Sequence, residues 1–81
     1  MVDILEAKLK NIIGYIVDKR PRDIDFRDKL LEIGCDDRKK SDRLMGQLLF
    51  EFEEYKLNER ELEKALTVSD IYQTISRRMR Y

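Results

Sequence analysis

The sequence predicts an all-α fold, a bundle of three principal helices plus one short helix. Three observations predict it. Apolar residues recur at three- and four-residue intervals through most of the chain, the stripe that amphipathic helices require. No segment alternates apolar and polar residues as a half-buried strand would. Only one proline and three glycines punctuate the pattern. A chain of 81 residues fits one domain, read as a single helical unit over residues 1–81. At that length folding buries only roughly 60% of the unfolded surface, so the core is thin.

The first helix is expected over about residues 3 to 18, where Ile4, Leu5, Leu9, Ile12, Ile13 and Ile16 form the stripe. Lys19-Arg20-Pro21-Arg22 ends it, because proline disfavours helical geometry in the residue before it and brings no amide hydrogen. From Arg22 to Asp37 the anchors Ile24, Phe26, Leu30, Leu31, Ile33 and Cys35 are too irregular for a long helix but enough to pin a loop. A short turn of helix around Asp28 to Glu32 would end at Gly34. The second long helix runs from Asp37 or Ser41 to Tyr55, with Leu44, Met45, Leu48, Leu49, Phe52 and Tyr55 on one side. Arg43, Gln47, Glu51 and Glu54 fall largely on the other. After Leu57-Asn58, Glu59 to Leu66 makes the short helix, with Leu62, Ala65 and Leu66 turned inward. Thr67 followed by Asp70 is a weaker form of the capping box, and it starts a last helix carrying Val68, Ile71, Tyr72, Ile75 and Met79 inward. The expected core is Leu9, Ile13, Leu48, Phe52, Leu66, Ile71 and Ile75.

Lysine plus arginine and aspartate plus glutamate both number 17, so the total charge favours neither nucleic acid nor an anionic membrane. No apolar run approaches the roughly 18 residues that span a bilayer, and the acids near the start are unlike a signal peptide. The single cysteine, Cys35, permits no internal disulfide. These features imply a cytoplasmic protein without membrane insertion. With no histidine, no paired nucleophile and no glycine-rich phosphate loop, catalysis is not expected. No metal site is expected either, since the acids at 23, 25 and 28 or at 36, 37 and 42 lack the alternating pattern of a calcium loop. Cys35, flanked by acids that would raise a thiol's pKa, reads as a small buried hydrophobe.

The stretch Leu30-Leu31-Glu32-Ile33-Gly34-Cys35-Asp36-Asp37 resembles the phosphopantetheine-attachment segment of acyl and peptidyl carrier proteins, Leu-x-x-Leu-Gly-x-Asp-Ser-Leu. Ile12-Ile13-Gly14 is similar to the end of a carrier's first helix, Phe52-Glu53-Glu54-Tyr55-Lys56-Leu57 to the close of its second, and Leu66-Thr67-Val68-Ser69-Asp70-Ile71 to the start of its last. The resemblance implies an acyl-carrier-like bundle, but Asp37 stands where the family has its serine and Arg38 where it has an apolar residue. A carboxylate is a poor nucleophile toward coenzyme A, and its product would be a hydrolysable mixed anhydride. No cofactor is therefore expected on Asp37. An alignment with a longer first loop sets Ser41 nearer the attachment point, and a true carrier holding 4'-phosphopantetheine on Ser41, or the inactive form of a serine-replaced carrier, is the alternative. Serine at a helix start is otherwise a cap or a solvated residue.

What the resemblance then implies is a non-catalytic domain that docks on a protein partner, such as a synthase, a ligase or another carrier-interacting enzyme. The expected docking surface is Asp36, Asp37, Arg38, Lys39 and Arg43 with the neighbouring Met45. Carriers usually present acids there, and the cations partly reverse the sign. The tail Arg77-Arg78-Met79-Arg80-Tyr81 leaves a nucleic-acid-binding helical module as a third reading, although cations at a helix C-terminus are also what the dipole favours.

Overall fold

The computed structural model describes residues 3–35 and 37–79. Among them the helices are α1 (Ile4–Val17), α2 (Leu30–Ile33), α3 (Arg38–Glu51), α4 (Glu59–Glu63) and α5 (Val68–Met79), with 3-10 turns at Pro21–Asp23 and Glu53–Tyr55. The described residues contain no strand, only an isolated bridge between Lys29 and Thr67. The domain is all-α, with α1, α3 and α5 as its long helices.

Asp3 starts α1: one carboxylate oxygen accepts the amides of Leu5 at 3.0 Å and Glu6 at 3.3 Å, and the other accepts the Tyr72 hydroxyl of α5. Leu5, Leu9, Ile13, Ile16 and Val17 face the core. The helix closes tightly. Asp18 takes left-handed backbone at φ 59°, its amide donates to the Gly14 carbonyl, and the Lys19 amide donates to the same oxygen at 2.9 Å. A Cβ on Gly14 would lie 2.6 Å from the Lys19 carbonyl oxygen, so only glycine lets the chain fold back this closely.

The first loop then reaches the far end of the chain. Asp28 accepts the Asp25 amide at 2.8 Å and Asp25 accepts the Arg27 amide at 3.0 Å, which spends these acids on a local turn. Carbonyls of Phe26 and Asp28 accept the Ser69 and Val68 amides at 3.0 and 3.1 Å, while Leu30 donates to Leu66 at 2.9 Å. The loop thus satisfies amides that the start of α5 would otherwise leave unpaired. The capping pair is present as expected: Asp70 donates its amide to Thr67 Oγ1 at 3.1 Å, and its carboxylate accepts the Leu66 and Thr67 amides at 3.0 and 3.1 Å. Those two amides are the main reason that the Asp70 carboxyl sits below the usual carboxylate range.

Leu9, Ile13, Leu48, Phe52, Ile71 and Ile75 are buried as expected, and Cys35 is buried beside them. Leu66 is not: it is 68% exposed. The short helix α4 stops at Glu63 instead of running to Leu66, which takes Leu66 off its inward stripe, and Val68 at the start of α5 is buried. Met79 is 43% exposed because the last turn of α5 overhangs the core, and Ile4 is 82% exposed because it lies well off the Leu5–Leu9–Ile13 line. Leu31, expected as a loop anchor, is likewise exposed, one residue out of step with the inward Leu30 and Ile33. The second long helix ends at Glu51, with Tyr55 in the 3-10 turn that follows. The short turn in the first loop is shifted to Leu30–Ile33 and stops at Gly34, whose φ of 120° suits glycine.

Candidate functional site

The end of the first loop sets up the head of α3. Gly34 turns the chain against Val17, whose Cβ would lie 3.5 Å from a Cβ at position 34. The Cys35 amide donates back to the Leu30 carbonyl at 2.9 Å, and the Cys35 side chain is buried. Asp37 is the N-cap of α3, with extended backbone at φ −88° and ψ 130°. Its carboxylate accepts the Lys39 amide at 2.9 Å and its carbonyl accepts the Ser41 amide at 3.0 Å. The Asp37 side chain is thus engaged as a helix cap. Asp36 lies outside the described residues, as do Arg80 and Tyr81 of the tail.

Arg38, Lys39 and Arg43 are exposed and form no ion pair among the described residues. Arg38 and Lys39 occupy the first turn of α3, where cations oppose the helix dipole, so the dipole does not explain them. The expected docking residues do not share one face. At about 100° per residue, Arg38 and Met45 fall about 20° apart, whereas Lys39 and Arg43 fall about 40° apart on a different side. Met45 lines a groove of about 310 Å³ between α3 and α4, with Leu30, Ser41, Leu49, Glu59 and Glu63 also on its walls. Lys39 and Arg43 look outward with Phe50, which is 69% exposed.

Ser41 is exposed, in the second turn of α3 and on the wall of the groove, and is not the cap. The sequence reading missed this groove because it needs α4 laid against α3; the apolar Met45 and Leu49 on the flank of the inward stripe were the available signal. Arg77 donates from Nε to the Gln73 carbonyl at 3.3 Å, one helical turn back along α5. Among the described residues no cluster of three or more His, Cys, Asp or Glu is placed to hold a metal ion, and no helix is long and apolar enough to cross a membrane. No protein-family model, curated protein or solved structure matches the chain.

Proposed function

We propose that this is a non-catalytic domain resembling an acyl carrier protein, which acts by docking on a protein partner and carries no 4'-phosphopantetheine at the usual place. The observation that carries the reading is the head of α3. The aspartate in the serine's place in the motif caps the helix with its carboxylate on the Lys39 amide. A capping carboxylate has no hydroxyl to attack the pyrophosphate of coenzyme A, and an acyl phosphate formed on it would hydrolyse. Lys39 and Arg43, exposed together on the outer side of α3 and in no ion pair among the described residues, supply a surface for a partner instead.

The alternative, loading on Ser41, has one observation in its favour: the hydroxyl is exposed beside a largely apolar groove. Intact mass after incubation with coenzyme A, magnesium and a broad-specificity phosphopantetheinyl transferase separates the two. Unchanged mass is expected for the chain as it stands, and addition at Asp37→Ser with Arg38→Leu. A phosphopantetheine mapped to Ser41 would promote the alternative. Docking is tested by reversing Arg38, Lys39 and Arg43 to glutamate, which should reduce partner capture, with reversal of Arg77, Arg78 and Arg80 as the control. Loss of the partner only in the tail variant would replace the docking reading with the nucleic-acid or arginine-tail one.

A further inference from the structure

The groove between α3 and α4 sorts the charges of both helices. Its floor is apolar, with Leu30, Met45 and Leu49 only half-buried by the chain itself. Among the described residues Asp42 of α3 and Glu59 and Glu63 of α4 line it, and no lysine or arginine does. The cations of the same helices are turned elsewhere. Lys39 and Arg43 lie on the outer side of α3, and Lys64 lines a separate hollow with Thr74 and Arg77. Arg60 falls about 100° around α4 from Glu59. Arg38 stands on the groove side of α3, one turn before Asp42, but does not line the groove, so three carboxylates face one guanidinium at its end. None of the three carboxylates forms an ion pair among the described residues. The fold gains little from this arrangement: Glu59 and Glu63 are like charges one turn apart, and Glu63 in the last turn of α4 opposes the helix dipole.

We propose that the groove receives a basic amphipathic helix of a partner protein, with its apolar side chains on Leu30, Met45 and Leu49 and its lysines or arginines beside Asp42, Glu59 and Glu63. In this helix-in-groove mode the apolar anchors give the affinity and the charges choose the partner. The unbranched Met45 side chain adapts to the anchor it meets. Carboxylates spread over two helices suit cations arrayed along a segment. A small organic cation would meet them one at a time in water, where an exposed ion pair contributes little. Nucleic acid and anionic membranes would be repelled by the same acids. The groove and the outer Lys39–Arg43 surface ask for opposite charge, so this is a second contact, and it does not rest on the carrier-like reading.

The probe is a fluorescent synthetic helix of about four turns, leucine on one side and lysine on the other, titrated with the purified chain. Binding with a dissociation constant of about 1–100 μM that weakens as salt rises is expected. The same peptide with glutamate for lysine should not bind, and one with serine for leucine should bind at least about tenfold more weakly. No binding of the leucine–lysine helix, or equal binding of the glutamate peptide, would overturn the proposal. Glu59→Lys with Glu63→Lys should weaken binding by about tenfold, whereas Glu53→Lys with Glu54→Lys, the same charge change outside the groove, should leave it within about twofold. Equal weakening by the two pairs would mean that the probe follows net charge alone, and the groove is then not the site. In the unaltered protein the Met45 methyl resonance should shift on binding and that of Met79 should not; a bound peptide that leaves Met45 unmoved overturns the proposal. If the chain alone self-associates and Glu59→Lys with Glu63→Lys abolishes this, the occupant is a second copy and the proposal is wrong. The transferase assay is indifferent to all these outcomes, so the failure of one reading does not imply the failure of the other.

Discussion

The closing turn of α1 and the outer face of α3 each contain a helical glycine, and the two are there for opposite reasons. At Gly14 a side chain would run into the Lys19 carbonyl, so the residue is dictated by the molecule's own backbone. At Gly46 a side chain would meet open space, so the fold gives no reason for glycine there. The same contrast holds for two aromatic residues on α3 and its end: Phe52 is 3% exposed and Phe50 69%. Residues explained by the interior hold the domain together. Those without an interior explanation are the ones to examine for contacts outside it.

The largest effect expected from this contrast is at the phenylalanines. Phe52→Ala should cost about 3–5 kcal/mol, enough to threaten a small domain, while Phe50→Ala should stay within about 0.5 kcal/mol in dilute solution. Chemical denaturation measures both, and comparable losses would mean that the outer face of α3 is not outer. The glycines come next. Gly14→Ala should destabilise by about 1–3 kcal/mol, since backbone must shift to admit the methyl group. Gly46→Ala should stabilise the domain by about 0.5–1 kcal/mol. A loss at Gly46 would reveal an internal constraint and remove the contrast.

The helix starts sharpen it further. Thr67→Ala breaks the reciprocal cap of α5 and should cost about 1 kcal/mol. Arg38→Glu, by contrast, should raise stability by a few tenths of a kcal/mol, because an acid suits the first turn of α3 better than a cation. If Arg38→Glu destabilises, the arginine has a structural role and the head of α3 is not simply a surface.

The smallest effect is in the acid limb of the stability curve. The Tyr72 hydroxyl is the main cause holding the Asp3 carboxyl below its ordinary value, and the Leu66 and Thr67 amides do the same for Asp70. A carboxyl with a lowered folded pKa adds stability that is fully present above its unfolded pKa, about 3.9. That stability is lost as pH falls from there through the lower folded value. Thermal midpoints should therefore fall more steeply below about pH 4 in the parent than in Asp70→Asn, with equal slopes counting against the cap.

The sequence by itself determined the helix order, the stop at Gly34, the Thr67–Asp70 cap and most of the core. Each is written in residues a few places apart, and helical periodicity turns such spacing directly into a face or a cap. The outward Leu66 was not legible, because it depends on where α4 stops and on the first loop holding the Leu66 carbonyl through Leu30. Nor was the separation of Met45, in the groove, from Lys39 and Arg43, on the outer side, since a cluster in sequence spans a full turn of helix and only the neighbouring α4 makes one side a groove. The different meanings of Gly14 and Gly46 were decided by the tertiary structure too. The two are the same letter in similar helical surroundings, and only the distance to a non-neighbouring backbone atom tells them apart.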